Sequence, residues 1–373
     1  MDLTPTPEQE ALRSAARDFL GDILTLEKVN QIADGEPGWE PEVWSTIAEL
    51  GWLGLSVPED AGGAGMGLLE EAVVFEESGG ALLPAPLFST VALALPAVVA
   101  SGDAALITDV VEGRLRLAFA WGERGVASRL AEAPRSACRA APDGTAPSGW
   151  VLTGTKHWVA DLTWTQSAVV VAATPDGPGL FLVDLASPGV TITRRSTLDA
   201  TRRLSDLTLA NVPARPLVLG AEVPGLLEQI RRRAIVLGAA ESVGIADRML
   251  VMSRDHASTR EQFGRIIGTY QAVSHKIADL YLGAELARSL VIWAAWSVDQ
   301  ASPDAAAAVT AAAAKAASVA VSACETTIQV LGGIGMTWDA GVHRYYKRAM
   351  ALEALDGPPS IHRRALAAEL LAA

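Results

Sequence analysis

The chain has 373 residues, half of them apolar and 20% charged, a globular composition long enough for two or three domains with buried cores. A formal net charge of −13 argues against a nucleic-acid partner, since phosphate backbones need a basic face; a phosphate-bearing ligand needs only a local cationic pocket. The two cysteines, Cys138 and Cys324, are far apart, which excludes a disulfide framework and metal-type spacing and leads us to expect a reducing, cytoplasmic setting.

In chain order, the acidic, polar start MDLTPTPEQEALR lacks the pattern of a secretory signal. Thr6-Pro7-Glu8-Gln9 reads as a helix start, with Thr6 as N-cap, Pro7 as first helical residue and Gln9 closing a capping box. Leu12, Ala16, Phe19 and Leu20 follow at helical spacing, and Gly35, Pro37 and Gly38 end the pattern. A helix fits 41–50, with Trp44, Ile47 and Leu50 on one face. The Gly-rich loop 51–67 has no Lys-Ser/Thr after its glycines and no β-type unit before it, so it reads as a turn rather than a phosphate loop. Helices at 68–78 and 89–100 complete an all-α segment, 1–115.

From 116 to 220 Pro and Gly rise and short β-type runs appear at 115–120, 149–155, 168–173, 179–183, 190–194 and 205–209. They predict a small antiparallel barrel or sandwich. Segment 221–373 is helical again. Pro224 opens a long helix carrying Arg231-Arg232-Arg233, a solvated face or a phosphate clamp. After a break at 263–268, helices fit 270–300 and the Ala-rich 303–330, which Thr310 and Lys315 interrupt as a membrane span. The expected fold class is α+β, mainly α: a helical domain 1–115, a β domain 116–220 and a four-helix bundle 221–373 with an oligomer face.

The most informative stretch is 259–279, TREQFGRIIGTYQAVSHKIAD. Its glycines permit a sharp break, Thr269 can cap the next helix, and Arg260, Phe263 and Gln271 gather at one helix–helix corner. Such a corner could grip a phosphate and a planar ring; it could equally be a Gly-broken αα-hairpin with a solvated Arg. The string R-x-x-F-G-x-x-I-G-x-Y-Q-A-V-x-H-x-x-A-D closely resembles the signature of the acyl-CoA dehydrogenase family. The loop GWLGLSVPEDAGG is similar to one in that family's first domain. Gly154-Thr155-Lys156-His157-Trp158-Val159-Ala160-Asp161 resembles its G-x-K-x-W-I-T/S-N, and Gln329-Val330-Leu331-Gly332-Gly333-Ile334-Gly335 matches Q-x-x-G-G-x-G.

The resemblance implies a helical, β, helical fold and FAD-dependent α,β-desaturation of an acyl-CoA thioester. Arg260, Phe263, Gln271, Gln329, Gly332 and Gly333 would hold the adenine and pyrophosphate half of FAD, in part that of a neighbouring subunit. Trp158 would lie against the flavin; by itself it reads equally as a sheet-edge core aromatic. Arg232 and Arg233 would meet coenzyme A phosphates. Implied partners are an electron-transfer flavoprotein or similar acceptor and a homo- or hetero-oligomer. The catalytic base, a Glu before Gly in most of the family, falls on Asp356, one methylene shorter. Without that role Asp356 is a turn residue before Gly357, with Ser360 capping the last helix. A subset of the family places its Glu at a position that falls on Ala234; Glu241 and Glu353 are weaker candidates. Ala160 stands where the family has a hydroxyl, and Ala120-Trp121-Gly122-Glu123-Arg124-Gly125 departs from T/S-E-P-x-A-G-S-D. Two readings follow: an active dehydrogenase with Asp356 as base, or a non-catalytic, cofactor-sharing subunit of a hetero-oligomeric pair. Bacterial members of the family form such pairs, often linked to steroid side-chain breakdown.

Overall fold

The computed structural model describes residues 4–125 and 129–372. The chain divides into two compact units that interleave along the sequence. The first comprises Met1–Gln31, Gly67–Leu83 and Ile235–Ala373, and the second Ile32–Met66 and Pro84–Ala234.

Helices come first in the chain: α1 (Pro7–Ile23), α2 (Leu26–Asp34), α3 (Pro41–Glu49), α4 (Leu68–Ala81), α5 (Leu95–Ala100) and α6 (Ala104–Val111). The capping box at Thr6 and Gln9 starts α1 as the sequence predicts. The helix expected over 89–100 is instead a π-helical stretch, Phe88–Ala94, running into α5. Pro96 has no N–H to offer the preceding turn, and a π-helical turn accommodates that loss.

The strands are β1 (Leu117–Ala120), β2 (Arg139–Pro142), β3 (Trp150–Ala160), β4 (Ser167–Thr174), β5 (Gly177–Asp184), β6 (Val190–Arg194), β7 (Leu204–Pro213) and β8 (Arg215–Leu219). All six anticipated runs are strands, and β2 and β8 are additional. The run Arg139-Ala140-Ala141-Pro142 has no β-branched residue to announce it. The arrangement is one eight-stranded sheet in the order β6-β7-β3-β2-β4-β5-β8, with β1 beside β4. Most pairs are antiparallel, but β1–β4 and β2–β4 are parallel, which local alternation cannot signal. Leu152, Val170, Phe181 and Leu207 centre its core.

The remaining helices are α7 (Val223–Thr259), α8 (Gln271–Asp299), α9 (Ala305–Leu331), α10 (Val342–Glu353) and α11 (Pro359–Ala372), with a two-strand ribbon, β9 (Glu261–Gln262) and β10 (Arg265–Ile266), between α7 and α8. Within the first unit, α4 and α7 cross at backbone distance. A side chain at Gly79 would strike the Glu241 carbonyl, and one at Gly244 the Glu76 carbonyl. Along α9, Ala308, Ala312, Ala316 and Ala320 are buried at four-residue spacing, so this helix packs closely in the bundle. By length and apolarity alone the segment Ala305–Met336 could cross a membrane, yet its buried alanines belong to the core of this unit.

Candidate cofactor and active site

The family-like residues fall at three places. The first is one end of the helical unit. Ser253 on α7 donates to Thr327 on α9 at 2.9 Å, and Thr327 in turn donates to the Met249 carbonyl at 3.1 Å. These bonds fix the register of the two helices. Thr259, the last residue of α7, lies about 9 Å further along the axis at 1.5 Å per residue. The end of α9 and the start of α8 emerge at the same level, so Arg260, Phe263, Gln271, Gln329, Gly332 and Gly333 share one end of the bundle. All six are exposed.

Phe263 and Gly264 form the ribbon's turn, with φ of +54° and +78°. Glycine adopts that conformation freely, but phenylalanine does so only at a cost. Phe263 is nonetheless 94% exposed, so nothing in its own unit repays the strain. The loop behind it is rigid: Tyr270 donates its hydroxyl to the Gln262 carbonyl at 3.2 Å, the Arg265 guanidinium stacks 3.8 Å from the Tyr270 ring centroid, and Ile267 donates its N–H to the Arg260 carbonyl at 2.9 Å. The N-cap of α8 is Tyr270, not Thr269, whose hydroxyl instead donates back to the Ile266 carbonyl at 2.6 Å. At the end of α9, Gly332 has φ +65° and ψ −137°, a combination for glycine alone. Nothing would crowd a Cβ at Gly332 or Gly333, so backbone lies open there. A cation, two primary amides, a flat ring and uncrowded glycine backbone suit a pyrophosphate and a planar base.

The second place is the end of β3. Its pairing with β7 shifts between Lys156 and Val159, and this bulge turns Trp158 outward with φ +58° and 40% exposure. Trp158 is thus a presented ring rather than a core aromatic. His157 donates its N–H to the Gly122 carbonyl at 2.8 Å, and a Cβ on Gly122 would sit 2.7 Å from the His157 carbonyl oxygen and 3.3 Å from the Trp158 ring. Glycine at 122 therefore lets the bulge seat against its neighbour.

Two polar anchors that the sequence reading missed hold this bulge. Fully buried Lys156 forms an ion pair with Glu123 and donates to the Ser136 hydroxyl at 2.8 Å. Burial alone would raise the Glu123 carboxyl, but Lys156, Ser136 and the Ala137 N–H together hold it below the usual range. On the neighbouring strand, Asp206 meets His157 Nδ1 at 2.8 Å and also pairs with Arg195. The Arg195 hydrogen bond, with a lesser one from His157, brings the Asp206 carboxyl down to about 2. A lysine two residues before Trp158, on the face of β3 that also carries Leu152, was the one available signal that a buried partner must exist. Ala160 ends β3 with a methyl group that cannot donate a hydrogen bond.

The third place is the connection between α10 and α11. Gly357 has φ +98°, which tightens the turn, and Asp356 before it is only 5% exposed. Asp356 lines a narrow cavity of about 30 Å³ with Gly238 and Ser242 of α7, Ala313 and Ala317 of α9, Glu353 and His362. That volume suits one or two water molecules. Glu353, expected on a solvated face, is half-buried on this cavity wall. Pro359, not Ser360, opens α11. The other acid considered, Glu241, is 3% exposed and faces buried Arg348 at 3.7 Å, while Ala234 is buried.

Arg232 and Arg233 are engaged by their own chain. Arg232 donates to Glu228 at 2.9 Å, and Arg233 donates to the Ser56 hydroxyl at 2.9 Å and to the Val91 carbonyl at 3.3 Å. Both are half-buried, so neither belongs to a simple solvated face.

Comparison with known proteins bears on the family and the fold. Residues 6–112 match the model of the acyl-CoA dehydrogenase N-terminal domain, and residues 231–371 that of the acyl-CoA dehydrogenase C-terminal domain. The acyl-CoA dehydrogenase IpdE2 of Mycolicibacterium smegmatis is 32% identical over 97% of this chain and 99% of its own length. Among solved structures, a variant of the Tcur3481-Tcur3483 steroid ACAD superposes with a TM-score of 0.86 at 33% identity, covering 98% of this chain and 99% of that one. The ChsE4-ChsE5 complex from Mycobacterium tuberculosis gives a TM-score of 0.86 at 28% identity, covering 100% and 99%. Near-complete coverage at this identity, together with the two family matches, shows that the chain belongs to the acyl-CoA dehydrogenase family of oxidoreductases.

Proposed function

We propose that this chain is an FAD-dependent acyl-CoA dehydrogenase that desaturates an acyl-CoA thioester between Cα and Cβ. The observation that carries this reading is the exposed, strained corner at 260–271, set beside the open backbone at Gly332–Gly333. Arg260 would neutralise the pyrophosphate, Gln271 and Gln329 would hydrogen-bond it, and Phe263 would cover the adenine. The Trp158 indole, seated by the Lys156–Glu123 and His157–Asp206 anchors, would bound one side of the flavin ring. When bound, FAD supplies the acceptor for the β-hydride. Asp356 would take the α-proton on its carboxylate as that Cα–H bond breaks, and its burial would limit the base to the one or two waters its cavity holds. Arg232 could reach a coenzyme A phosphate only by leaving Glu228.

A second reading is a cofactor-sharing subunit whose partner carries the base. Two observations favour it: the Asp356 carboxylate lies on a cavity of water size, and Ala160 offers no hydroxyl. The hetero-oligomeric names of the two structural relatives fit the same reading. Either way, an oligomer and an acceptor such as electron-transfer flavoprotein would complete the system, and the chain would work in the cytoplasm on a fatty or steroid side-chain thioester. The test is to purify the chain alone, record its flavin absorbance and add acyl-CoA without oxygen. A yellow protein bleached by substrate supports the first reading. A colourless protein that gains flavin only with a second subunit rejects it.

A further inference from the structure

The stretch 193–206, TRRSTLDATRRLSD, carries two arginine pairs in a chain whose net charge is −13. It joins β6 to β7. Within the second unit, its Arg194, Arg195 and Arg203 line an open cleft of about 400 Å³ together with Ser196 and Thr197. That volume is in the range of small-ligand sites. The cleft wall is held from within. Asp199 accepts from the Thr201 N–H at 2.8 Å, and the Thr197 hydroxyl donates to the Asp199 carbonyl at 3.1 Å.

The charges in the cleft do not balance. Arg194 and Arg203 both pair with Glu36, and Arg195 pairs with Asp206, so three guanidiniums meet two carboxylates. The two carboxylates differ in how firmly they are held. Asp206 is buried on β7 and also meets His157. Glu36 is a loop residue whose side chain is 70% exposed, and exposed pairs of this kind add little stability. Arg203 is fixed independently of Glu36. It is buried, its guanidinium donates to the Pro37 carbonyl at 2.8 Å, and a Cβ on Gly38 would collide with it. A positive floor is therefore built into the fold, and a replaceable carboxylate covers it.

We propose that this cleft is an oxyanion site for a phosphate group, which takes over Arg194 and Arg203 from Glu36. A phosphate dianion presents three oxygens and two charges where Glu36 presents two oxygens and one. With Asp206 it brings the negative charges to three, matching the three guanidiniums. The site does not rest on the dehydrogenase reading, and it belongs to a different unit from the corner at 260–271.

The test reads the rise in melting temperature that inorganic phosphate gives over sodium chloride of equal ionic strength, at about pH 8, where phosphate is mostly dianionic. The corner at 260–271 could take phosphate too, so the rise is compared among variants that leave the corner intact. Wild type should show a saturable rise. Glu36→Gln removes the competing carboxylate and should tighten phosphate by about two- to fivefold, whatever it does to the melting temperature without phosphate. Arg194→Gln should weaken phosphate by about tenfold or more. The same half-saturation in all three proteins overturns the proposal, and so does no rise over chloride in wild type, or weaker binding by Glu36→Gln. Adenosine 3′,5′-bisphosphate then separates the sources of the phosphate. Tighter binding than inorganic phosphate, with the advantage lost in Arg194→Gln, assigns the site to a nucleotide's phosphate; no advantage assigns it to a free phosphate ion.

Discussion

The corner at 260–271 and the turn at 354–358 belong to the same helical unit and treat their family-like residues in opposite ways. At the corner, Phe263 holds a left-handed backbone and is almost wholly exposed, and Arg260 and Gln271 point away from the core. Their own chain gains little from them, so their use lies in something the chain binds. At the turn, Asp356 is buried against α7, α9 and α11, in a cavity where Glu353 and His362 also end. Its own chain has a use for it whether or not it does chemistry. The contrast explains why the two readings diverge: a grip on a cofactor is written on the surface, whereas a base must be shown by its reaction.

The contrast breaks first on Asp356. If the buried acid is the base, Asp356→Asn loses about 10²- to 10⁴-fold in flavin reduction while the bound flavin keeps its absorbance. An unimpaired variant would make Asp356 a packing residue only. Next comes the Trp158 bulge. Glu123→Gln leaves Lys156 buried against a neutral amide and should cost about 3–5 kcal/mol in chemical denaturation. A loss below about 1 kcal/mol would show that the lysine is not held as an ion there.

The corner sharpens the comparison with effects of opposite sign. Phe263→Gly relieves the left-handed strain, so the apo chain should gain about 0.5–1 kcal/mol in thermal unfolding. The same variant should bind FAD more weakly by titration. Loss of stability together with unchanged FAD binding would mean that the corner serves the fold. The smallest effect concerns acid. Asp206 titrates near 2 in the folded chain, below the 3.8 of a free side chain, so its anchor is fully present above about pH 4 and is lost as pH falls towards 2. Asp206→Asn should flatten that part of the acid-unfolding curve; an identical curve would remove the anchor from the account.

The order of helices, strands and helices was legible in the sequence because hydrophobic period and Gly/Pro punctuation are local signals. The family-like motif residues were legible too, as strings. Pairings between distant residues were not. Helix α4 joins the C-terminal bundle through Gly79 and Gly244, which are too far apart in sequence for any spacing rule. Lys156 announces that it needs a partner but not that Glu123 and Ser136 supply it. Asp206 looks like any polar strand residue until β7 brings it beside His157. The parallel placement of β2 against β4 depends on the whole sheet. Asp356 could be located from its Gly357 neighbour, but the cavity around it is made by three other helices.

The most direct measurement is anaerobic addition of an acyl-CoA to the purified, flavin-loaded chain, in wild type and in Asp356→Asn, followed by the flavin absorbance. Wild type should bleach rapidly and the variant almost not at all, with flavin still bound. Bleaching at the same rate in both, or a chain that holds no flavin without a second subunit, would contradict it.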